Sequence, residues 1–417
     1  MLFFSKEFIF IFLPIIIISY FVTIKFFNNF NHYKTLLIFA SILFYGIWSL
    51  KFLFFFIILI IFNHSSINYF RKFNKEKRTF FTIALIFLNI FILIYYKYYN
   101  FLIININQVF ELSFNFKNII LPLGISFITF QQIGFIWTSI ERKKIVNLKD
   151  YLLFSIFFPQ IIAGPILIIE DVDYQFKNNF PNMNLKNIWK GVQIFSLGLF
   201  KKVFIADKLS PWVDVVFSSD LSNLGSLDLF IGALSYGLQL YFDFSGYSEM
   251  AVGLGLMFGF RLPVNFNTPF KALSMIDFWK RWHITVTKFF MLYLYAPFSL
   301  FLNRISKLNY SNNLMFLLIF PTMVTFFVSG LWHGADWKFI YFGLINGLCL
   351  IINHLWKIYK MPKIPSIFSW LITMIAVLVS FVFFRAADTA EALKLLSIMF
   401  NPFLVEIPSW MGFLFVD

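Results

Sequence analysis

Residues 314–347 read LMFLLIFPTMVTFFVSGLWHGADWKFIYFGLING, two long apolar runs that are joined around one histidine, His333. Runs of this length and hydrophobicity are typical of membrane-spanning helices. An ionisable side chain at membrane depth costs free energy unless a partner or a polar cavity receives it, so it marks a candidate functional site. The stretch therefore predicts a membrane protein whose candidate chemistry lies at a Trp-His pair.

The same apolar character extends along the whole chain, which has 417 residues, 60% of them hydrophobic and 13% charged. We predict an all-α polytopic membrane protein that forms one domain, residues 1–417, with about 11–13 transmembrane or re-entrant helices. The glycine-containing stretch 229–260 is too long for one straight span, and two helices or a re-entrant segment are expected there. The other spans are predicted near residues 8–24, 35–50, 52–70, 79–99, 119–140, 151–169, 191–206, 286–302, 314–333, 338–356 and 366–385.

The net charge of +14 is typical of the basic inner loops of a membrane protein and does not require a nucleic-acid partner. If the N-terminus is outside, the first inner segments hold eleven basic residues and the outer segments hold four. This asymmetry predicts an outside N-terminus. The single cysteine, Cys349, excludes an intrachain disulfide and a cysteine-based zinc site.

Two carboxylates lie in the otherwise apolar segment 236–270, which reads YGLQLYFDFSGYSEMAVGLGLMFGFRLPVNFNTPF. Asp243 and Glu249 should face a cavity or a cation rather than lipid. The alternative is that both are buried and hydrogen-bonded, and only hold helices together. The glycines of this segment predict close packing against a neighbouring helix.

The segment 277–288 reads DFWKRWHITVTK and contains the second Trp-His pair. On one continuous helix, Asp277 and Arg281 are four residues apart and can form an ion pair. His283 would then lie almost on the opposite face. The alternative is an interfacial helix with tryptophans at headgroup level and basic side chains reaching towards water.

Small residues flank Trp332 and His333, so a ligand or another stretch of backbone can approach the imidazole closely. A histidine can take a proton from a hydroxyl or a thiol, which is the chemistry of acyl transfer. The alternative is a core histidine that bonds to a carbonyl group. The chain has neither a GxSxG motif nor a Walker A phosphate loop. The other three histidines are expected in core or interfacial positions: His32, His64 and His354.

Taken together in chain order, these segments resemble the membrane-bound O-acyltransferase family, in the branch of the alginate and peptidoglycan O-acetylation proteins. The resemblance covers most of the chain. It rests on nine motifs: LFYGIW (43–48), YYKYYNFL (95–102), LPLGISFITFQ (121–131), FFPQIIAGPI (157–166), GLFKKVFIAD (198–207), YFDFSGYSEMAVGLGLMFGFRLPVNFNTPF (241–270), DFWKRWHITVT (277–287), GLWHGADW (330–337) and FVFFRA (381–386).

The resemblance implies a ring of helices around a central tunnel, with the family's two histidines at His333 and His283. His333 is expected to act as general base or to carry the acyl group briefly, and His283 to orient the donor or the proton. Asp207 and Asp243 match polar family positions. The further candidates that line the tunnel or contact substrate are Trp332, Glu249, Asp277, Arg281 and Asn265.

The function that the resemblance implies is O-acetylation across the inner membrane, with the N-terminus in the periplasm. The donor is expected to be acetyl-CoA or another cytoplasmic acetyl thioester, with neither a bound cofactor nor a metal. A separate periplasmic acetyltransferase of the SGNH type is the expected partner. Residues 288–304, KFFMLYLYAPFSLFLNR, lack the Arg-Asp pair and the double glycine of alginate-type members, which favours peptidoglycan as the acceptor.

Other functions stay open at this point. The same chemistry could serve alginate or another exopolysaccharide, or transfer D-alanine to teichoic acid. A non-enzymatic transporter or flippase, with a histidine and carboxylate proton relay, is a more distant alternative. The chain stops about 30 residues after Arg385, where many relatives continue, so a shortened C-terminus is also expected.

Overall fold

A computed structural model describes residues 1–27, 30–140, 146–162, 164–178, 185–218, 224–306 and 314–404. All the regular elements within these ranges are helices, which confirms the all-α prediction. The basic residues at 142–144 and the chain end after residue 404 lie outside the described residues. The predictions that rest on them, the outside N-terminus and the shortened C-terminus, stay predictions.

The chain divides into two compact units. The first contains Met1–Leu199 and Tyr247–Val264, and the second contains Phe200–Gly246 and Asn265–Asp417. The prediction of a single domain stays a prediction. The described α-helices are α1 Leu13–Phe27, α2 Phe30–Gly46, α3 Leu50–Phe70, α4 Lys75–Phe110, α5 Ile125–Ser139, α6 Leu148–Ile156, α7 Ile169–Asn178, α8 Leu185–Phe200, α9 Asp207–Ser218, α10 Ser226–Met257, α11 Met275–Arg281, α12 Ile284–Phe290, α13 Ala296–Ser306, α14 Phe320–His333, α15 Trp337–Ile358, α16 Ser366–Arg385 and α17 Thr389–Met399.

Seven helical stretches in the described part of the chain are long and apolar enough to cross a membrane, so the protein is a multi-pass membrane protein. Short π-helical segments continue three of them: Phe8–Phe12 before α1, Met291–Tyr295 between α12 and α13, and Met315–Ile319 before α14. The seven stretches are Phe8–Phe27, Leu50–Phe70, Lys75–Phe110, Ile284–Ser306, Met315–His333, Trp337–Ile358 and Ser366–Arg385.

Two of the predicted spans have a different helical structure from the one expected. The predicted span 151–169 is not one helix: α6 ends at Ile156 and α7 begins at Ile169, because turns follow at the Pro159 and Gly164 positions that cannot continue a regular helix. The stretch 229–260 is one unbroken helix, α10, and not two helices or a re-entrant segment. Tertiary packing therefore overrides the low helix propensity of its glycines.

Glycine allows α10 and α8 to cross at backbone distance within the first unit. A Cβ atom on Gly253 would lie 2.6 Å from the carbonyl oxygen of Gly191, and a Cβ on Gly191 would lie 2.6 Å from the carbonyl oxygen of Gly253. The predicted close packing of the 236–270 glycines is confirmed at Gly253. Its partner, Gly191, was not expected from the sequence.

A buried ion pair joins α2 to α6 in the first unit. The Nζ atom of Lys34 lies 2.5 Å from Oδ1 of Asp150, and the two side chains are only 6% and 7% exposed. Asn147 donates from Nδ2 to the other carboxylate oxygen at 2.7 Å. The ammonium group also lies 4.4 Å from the ring centroid of Phe30. Both oxygens of this buried carboxylate therefore have a donor.

Buried amides hold α3, α4 and α5 together in the same unit. Asn63 donates to Oδ1 of Asn89 at 3.0 Å and to Oε1 of Gln132 at 3.1 Å. One residue further along α3, His64 is 9% exposed, and its Nε2 atom lies 2.8 Å from the carbonyl oxygen of Val146. The expected core position is thus confirmed for His64.

Candidate active site

The first Trp-His pair stands at the corner of a helical hairpin formed by α14 and α15. The two helices cross at glycines: a Cβ on Gly330 would lie 2.3 Å from the carbonyl oxygen of Phe339, and one on Gly343 would lie 2.1 Å from that of Phe326. His333 is the last residue of α14, and the corner ends at Asp336, whose side chain accepts from the backbone N–H of Lys338. The local sequence SGLWHGADW therefore exposes one histidine at a sharp, closely packed bend.

Aromatic side chains surround the His333 imidazole. Its ring centroid lies 5.5 Å from that of Phe342 on α15, 5.1 Å from that of Phe384 on α16 and 4.9 Å from that of Trp332. The end of α16 is tied to the same corner, because Lys338 donates to the carbonyl oxygen of Ala386 at 2.5 Å. The GLWHGADW and FVFFRA motifs, about 50 residues apart in sequence, thus form one site.

The second histidine lies at a break between two short helices. His283 has a φ of 44° and a ψ of 53°, so the backbone is left-handed between α11 and α12. The prediction of one continuous helix through 277–288 is wrong. The expected position of His283, almost on the opposite face from Asp277, was derived from that helix and is wrong as well. The interfacial alternative is wrong as well, since Trp279 and Trp282 are 8% and 5% exposed within the second unit.

The two histidines share one tryptophan. The Trp332 ring centroid lies 5.8 Å from that of His283 and 4.9 Å from that of His333. His283 is 2% exposed and packs edge-on against Phe244 of α10, with the ring centroids 4.5 Å apart. The structure therefore brings together the residues that the sequence singled out as a candidate pair, and it adds Phe244 and Phe384 to their surroundings.

Among the polar lining candidates, Asn265 directly contacts a histidine. It is 1% exposed, and its Oδ1 atom lies 3.3 Å from Nδ1 of His283. The same oxygen accepts hydrogen bonds from Thr285, through its backbone N–H at 3.2 Å and its hydroxyl at 2.7 Å. Asn265 and Thr285 therefore form the hydrogen-bonded side of the His283 pocket.

The predicted ion pair between Asp277 and Arg281 is confirmed, with Nε and Oδ1 at 2.8 Å. Arg281 also donates to the carbonyl oxygen of Asn267 and to the hydroxyl of Thr268, whose φ is 45°. The pair thus holds the turn that follows Asn265. Neither side chain hydrogen-bonds a histidine among the contacts of the described residues.

Asp207 and Asp243 meet each other through a lysine. Lys202 lies 2.8 Å from Oδ1 of Asp207 and 2.5 Å from Oδ1 of Asp243. The Lys202 side chain is 17% exposed, whereas the two carboxylates are 46% and 47% exposed. Asp243 is therefore not buried, although its ion pair does link α10 to the π-helical segment Lys201–Ala206. Lys202 was not identified from the sequence. The available signal was the pair of adjacent lysines that precedes VFIAD.

Glu249, the remaining candidate, belongs to the first unit and is half-buried. His283 and His333 belong to the second unit. The geometry therefore brings together His283, His333, Trp332 and Asn265, and it gives Asp277, Arg281, Asp207 and Asp243 ion-pairing roles elsewhere in that unit.

A cavity of about 160 Å³ begins one helical turn from both histidines. Ser329 lies four residues before His333 on the same face of α14. Thr287 lies in the first turn of α12, and its backbone N–H donates to the carbonyl oxygen of His283 at 3.1 Å. The lining of the cavity is mainly apolar and also includes several hydroxyl groups. The residues that line it are Trp279, Val286, Thr287, Phe290, Met291, Tyr295, Thr322, Thr325, Phe326, Ser329, Leu350 and His354.

Sequence comparison relates this chain to known proteins. The model of the membrane-bound O-acyltransferase family matches residues 135–387, which include both histidines and the cavity. A peptidoglycan O-acetyltransferase of Helicobacter pylori is 38% identical over 95% of this chain and 79% of its own length. A probable alginate O-acetylase, AlgI, of Pseudomonas aeruginosa is 35% identical over 96% of this chain and 75% of its own length. A teichoic acid D-alanyltransferase of Streptococcus thermophilus is 31% identical over 56% of this chain and 57% of its own length.

Proposed function

Because this chain belongs to the membrane-bound O-acyltransferase family and is an acyltransferase, we propose that it O-acetylates peptidoglycan, with His333 and His283 as its catalytic histidines. The observation that carries the proposal is the meeting of His283 and His333 at Trp332, one helical turn from the cavity. Family membership supports an enzyme over the non-enzymatic transporter that the sequence left open.

The donor in this proposal is a cytoplasmic acetyl thioester, acetyl-CoA. The oxygen of the accepting hydroxyl attacks the carbonyl carbon of the acetyl group while His333 takes the hydroxyl proton. The carbon–sulfur bond then breaks, and the thiolate leaves and takes up that proton. The products are an acetyl ester and a free thiol. If His333 instead carries the acetyl group, the same bonds form and break in two steps.

The cavity has room for an acetyl group. An apolar cavity of about 150 Å³ holds one benzene molecule, which has six carbon atoms. The cavity beside the histidines, at about 160 Å³, is therefore matched to the acetyl group, the sulfur and the first two carbons of the thioester arm. The hydroxyl groups of Ser329 and Thr287 supply polar contacts at its histidine end.

The acceptor in this proposal is the hydroxyl of N-acetylmuramic acid, reached through a separate periplasmic acetyltransferase of the SGNH type. The chain would then lie in the inner membrane with its N-terminus in the periplasm. Two features favour peptidoglycan over alginate: the named activity of the Helicobacter relative, and the absence of the Arg-Asp pair and double glycine from residues 288–304. The alginate and D-alanine alternatives differ from it in the polymer and in the transferred group.

Mass analysis of surface polymers tests this proposal. Deletion of the gene is expected to abolish O-acetyl groups on muropeptides, and re-expression of the wild-type chain should restore them. Secreted polysaccharides and teichoic acids should be unchanged. Loss of acetate from an exopolysaccharide, or of D-alanine from teichoic acid, with normal muropeptides would instead support the corresponding alternative.

Filling the cavity tests its proposed role. Replacement of Ser329 by phenylalanine is expected to lower acetyl transfer about tenfold or more, because the ring would occupy the space for the thioester next to His333. Measurement requires the initial rate with acetyl-CoA in membranes that contain equal amounts of folded protein. Phe327→Trp is the matched control, since residue 327 is 38% exposed on the same helix and its added bulk points away from the core. Full activity of Ser329→Phe would argue against this site for the donor.

A further inference from the structure

The orientation of the Asn265 carboxamide can be read from its hydrogen bonds. Its Oδ1 atom lies 3.2 Å from the backbone nitrogen of Thr285, and a backbone N–H group can only donate. The atom that faces it must therefore be the oxygen, which removes the usual ambiguity between the two ends of an asparagine side chain. The Thr285 hydroxyl, at 2.7 Å, donates to the same oxygen.

This orientation determines which His283 nitrogen carries the hydrogen. The Nδ1 atom of His283 lies 3.3 Å from the same Oδ1 atom, and an amide oxygen can only accept. The Nδ1 atom must then be the N–H donor of the neutral ring. It follows that Nε2 carries the lone pair. Nε2 is buried, and the structure gives it no hydrogen-bond partner among the described residues.

The backbone around His283 is held by the same residue. The backbone N–H of Ile284 donates to the carbonyl oxygen of Asn265 at 2.9 Å, and that of Asn267 donates to the carbonyl oxygen of Arg281 at 2.9 Å. These two hydrogen bonds hold residues 265–267 against the chain on either side of His283. A left-handed backbone at a non-glycine residue costs about 1 kcal/mol or more and persists only where its surroundings impose it. Asn265 therefore acts on both the backbone and the ring of His283.

We propose that Asn265 is a positioning residue that holds His283 as the Nδ1–H tautomer and so keeps Nε2 as a hydrogen-bond acceptor and base. The inference deepens the proposed function and rests on it, since it assigns the chemical type of group that meets His283. That group must donate a hydrogen bond, as a hydroxyl, a thiol or the imidazole N–H of His333 does. A thioester carbonyl, which can only accept, is excluded as the partner of neutral His283.

Two substitutions of Asn265 separate positioning from simple packing. Asn265→Asp keeps an oxygen against Thr285 and His283 and adds a charge that stabilises the imidazolium form. If His283 must be neutral, the acidic limb of the pH–rate profile should move up by about one pH unit while the rate at high pH is kept. Asn265→Leu removes the acceptor, and the rate should fall about 10- to 100-fold at every pH. Among the described residues, His333 is the titratable group that interacts electrostatically with His283. Arg281 on α11 is paired with Asp277.

The tautomer itself can be observed without any activity. In the ¹⁵N-histidine-labelled full chain in detergent, the resonances that disappear in His283→Gln identify His283. The wild-type protein is expected to show the Nδ1–H pattern, and Asn265→Leu should lose that preference. An Nε2–H pattern in the wild-type protein, or a full rate in Asn265→Leu with an unmoved acidic limb in Asn265→Asp, would overturn the inference. If the wild-type chain transfers no acetyl group, the proposed function fails, and the spectra still decide the tautomer.

Discussion

Replacement of His333 by alanine is expected to lower acetyl transfer by about 10²- to 10⁴-fold, the range for loss of a positioned general acid or base. The reason is that the imidazole stands at the helix corner with Trp332, Phe342 and Phe384 around it and one turn from the cavity. The other imidazole that contacts Trp332, that of His283, is held by Asn265 in its own pocket. The rate should be measured with acetyl-CoA in membranes or detergent at matched protein levels.

His32→Ala is the control for this change, because His32 is exposed and stacks on Phe27, with ring centroids 5.0 Å apart. His333→Gln tests whether lost packing contributes, since glutamine keeps a polar side chain of similar size. Incubation with labelled acetyl-CoA without acceptor distinguishes the two roles of His333. An acyl carrier should leave label on the wild-type protein, whereas a general base should leave none. A His333→Ala protein that folds normally and acetylates at the wild-type rate would contradict the proposed site.

Replacement of Lys34 by methionine is expected to destabilise the protein by about 3–5 kcal/mol, the cost of leaving one member of a buried ion pair without its partner. The Asp150 carboxylate is 7% exposed, and after the substitution the hydrogen bond from Nδ2 of Asn147 is what remains of its contacts among the described residues. Thermal unfolding in detergent, followed by the loss of helical circular dichroism, should show a lowered midpoint. The position is in the first unit, so any effect on the rate should follow the amount of folded protein.

The matched control is the double variant Lys34→Met with Asp150→Asn, which removes the charge along with its partner. It should recover most of the lost stability, because a neutral carboxamide costs much less to bury than a carboxylate. The amide can still accept the hydrogen bond from Asn147. Equal midpoints for Lys34→Met and the wild-type protein would mean that the pair is solvated in the membrane-bound protein, and would contradict its buried role.

Local sequence spacing was enough to predict several features of the site. The four-residue spacing of Asp277 and Arg281 predicted their ion pair, because such residues are neighbours on one helical face. The small residues beside Trp332 and His333 predicted a close approach of a ligand or of backbone at this point, and the glycines at 330 and 334 do lie against Phe339. Hydropathy predicted a helical membrane protein, since only helices or closed barrels can satisfy the backbone in lipid.

Other features depend on partners that are distant in sequence. Lys34 and Asp150 are 116 residues apart, and neither has a local pattern that identifies the other. His283 was assigned to one continuous helix, because no glycine or proline indicated the left-handed break that the hydrogen bonds to residues 265–267 stabilise. Asp243 was expected to face a cavity or a cation, with a buried position as the alternative, and only the structure identifies that cation as Lys202.

The sequence by itself determined the class of fold, because hydropathy acts over short stretches of chain, and its ordered motifs pointed to the family and to the two candidate histidines. Only the tertiary structure decided that both histidines meet at Trp332, that a cavity begins one turn away, and that Asn265 selects the hydrogen position on His283. These features arise from contacts between α10, α12, α14 and α16 and the loop before α11. Side-chain packing and hydrogen-bond direction depend on three-dimensional proximity, which residue spacing along the chain does not encode.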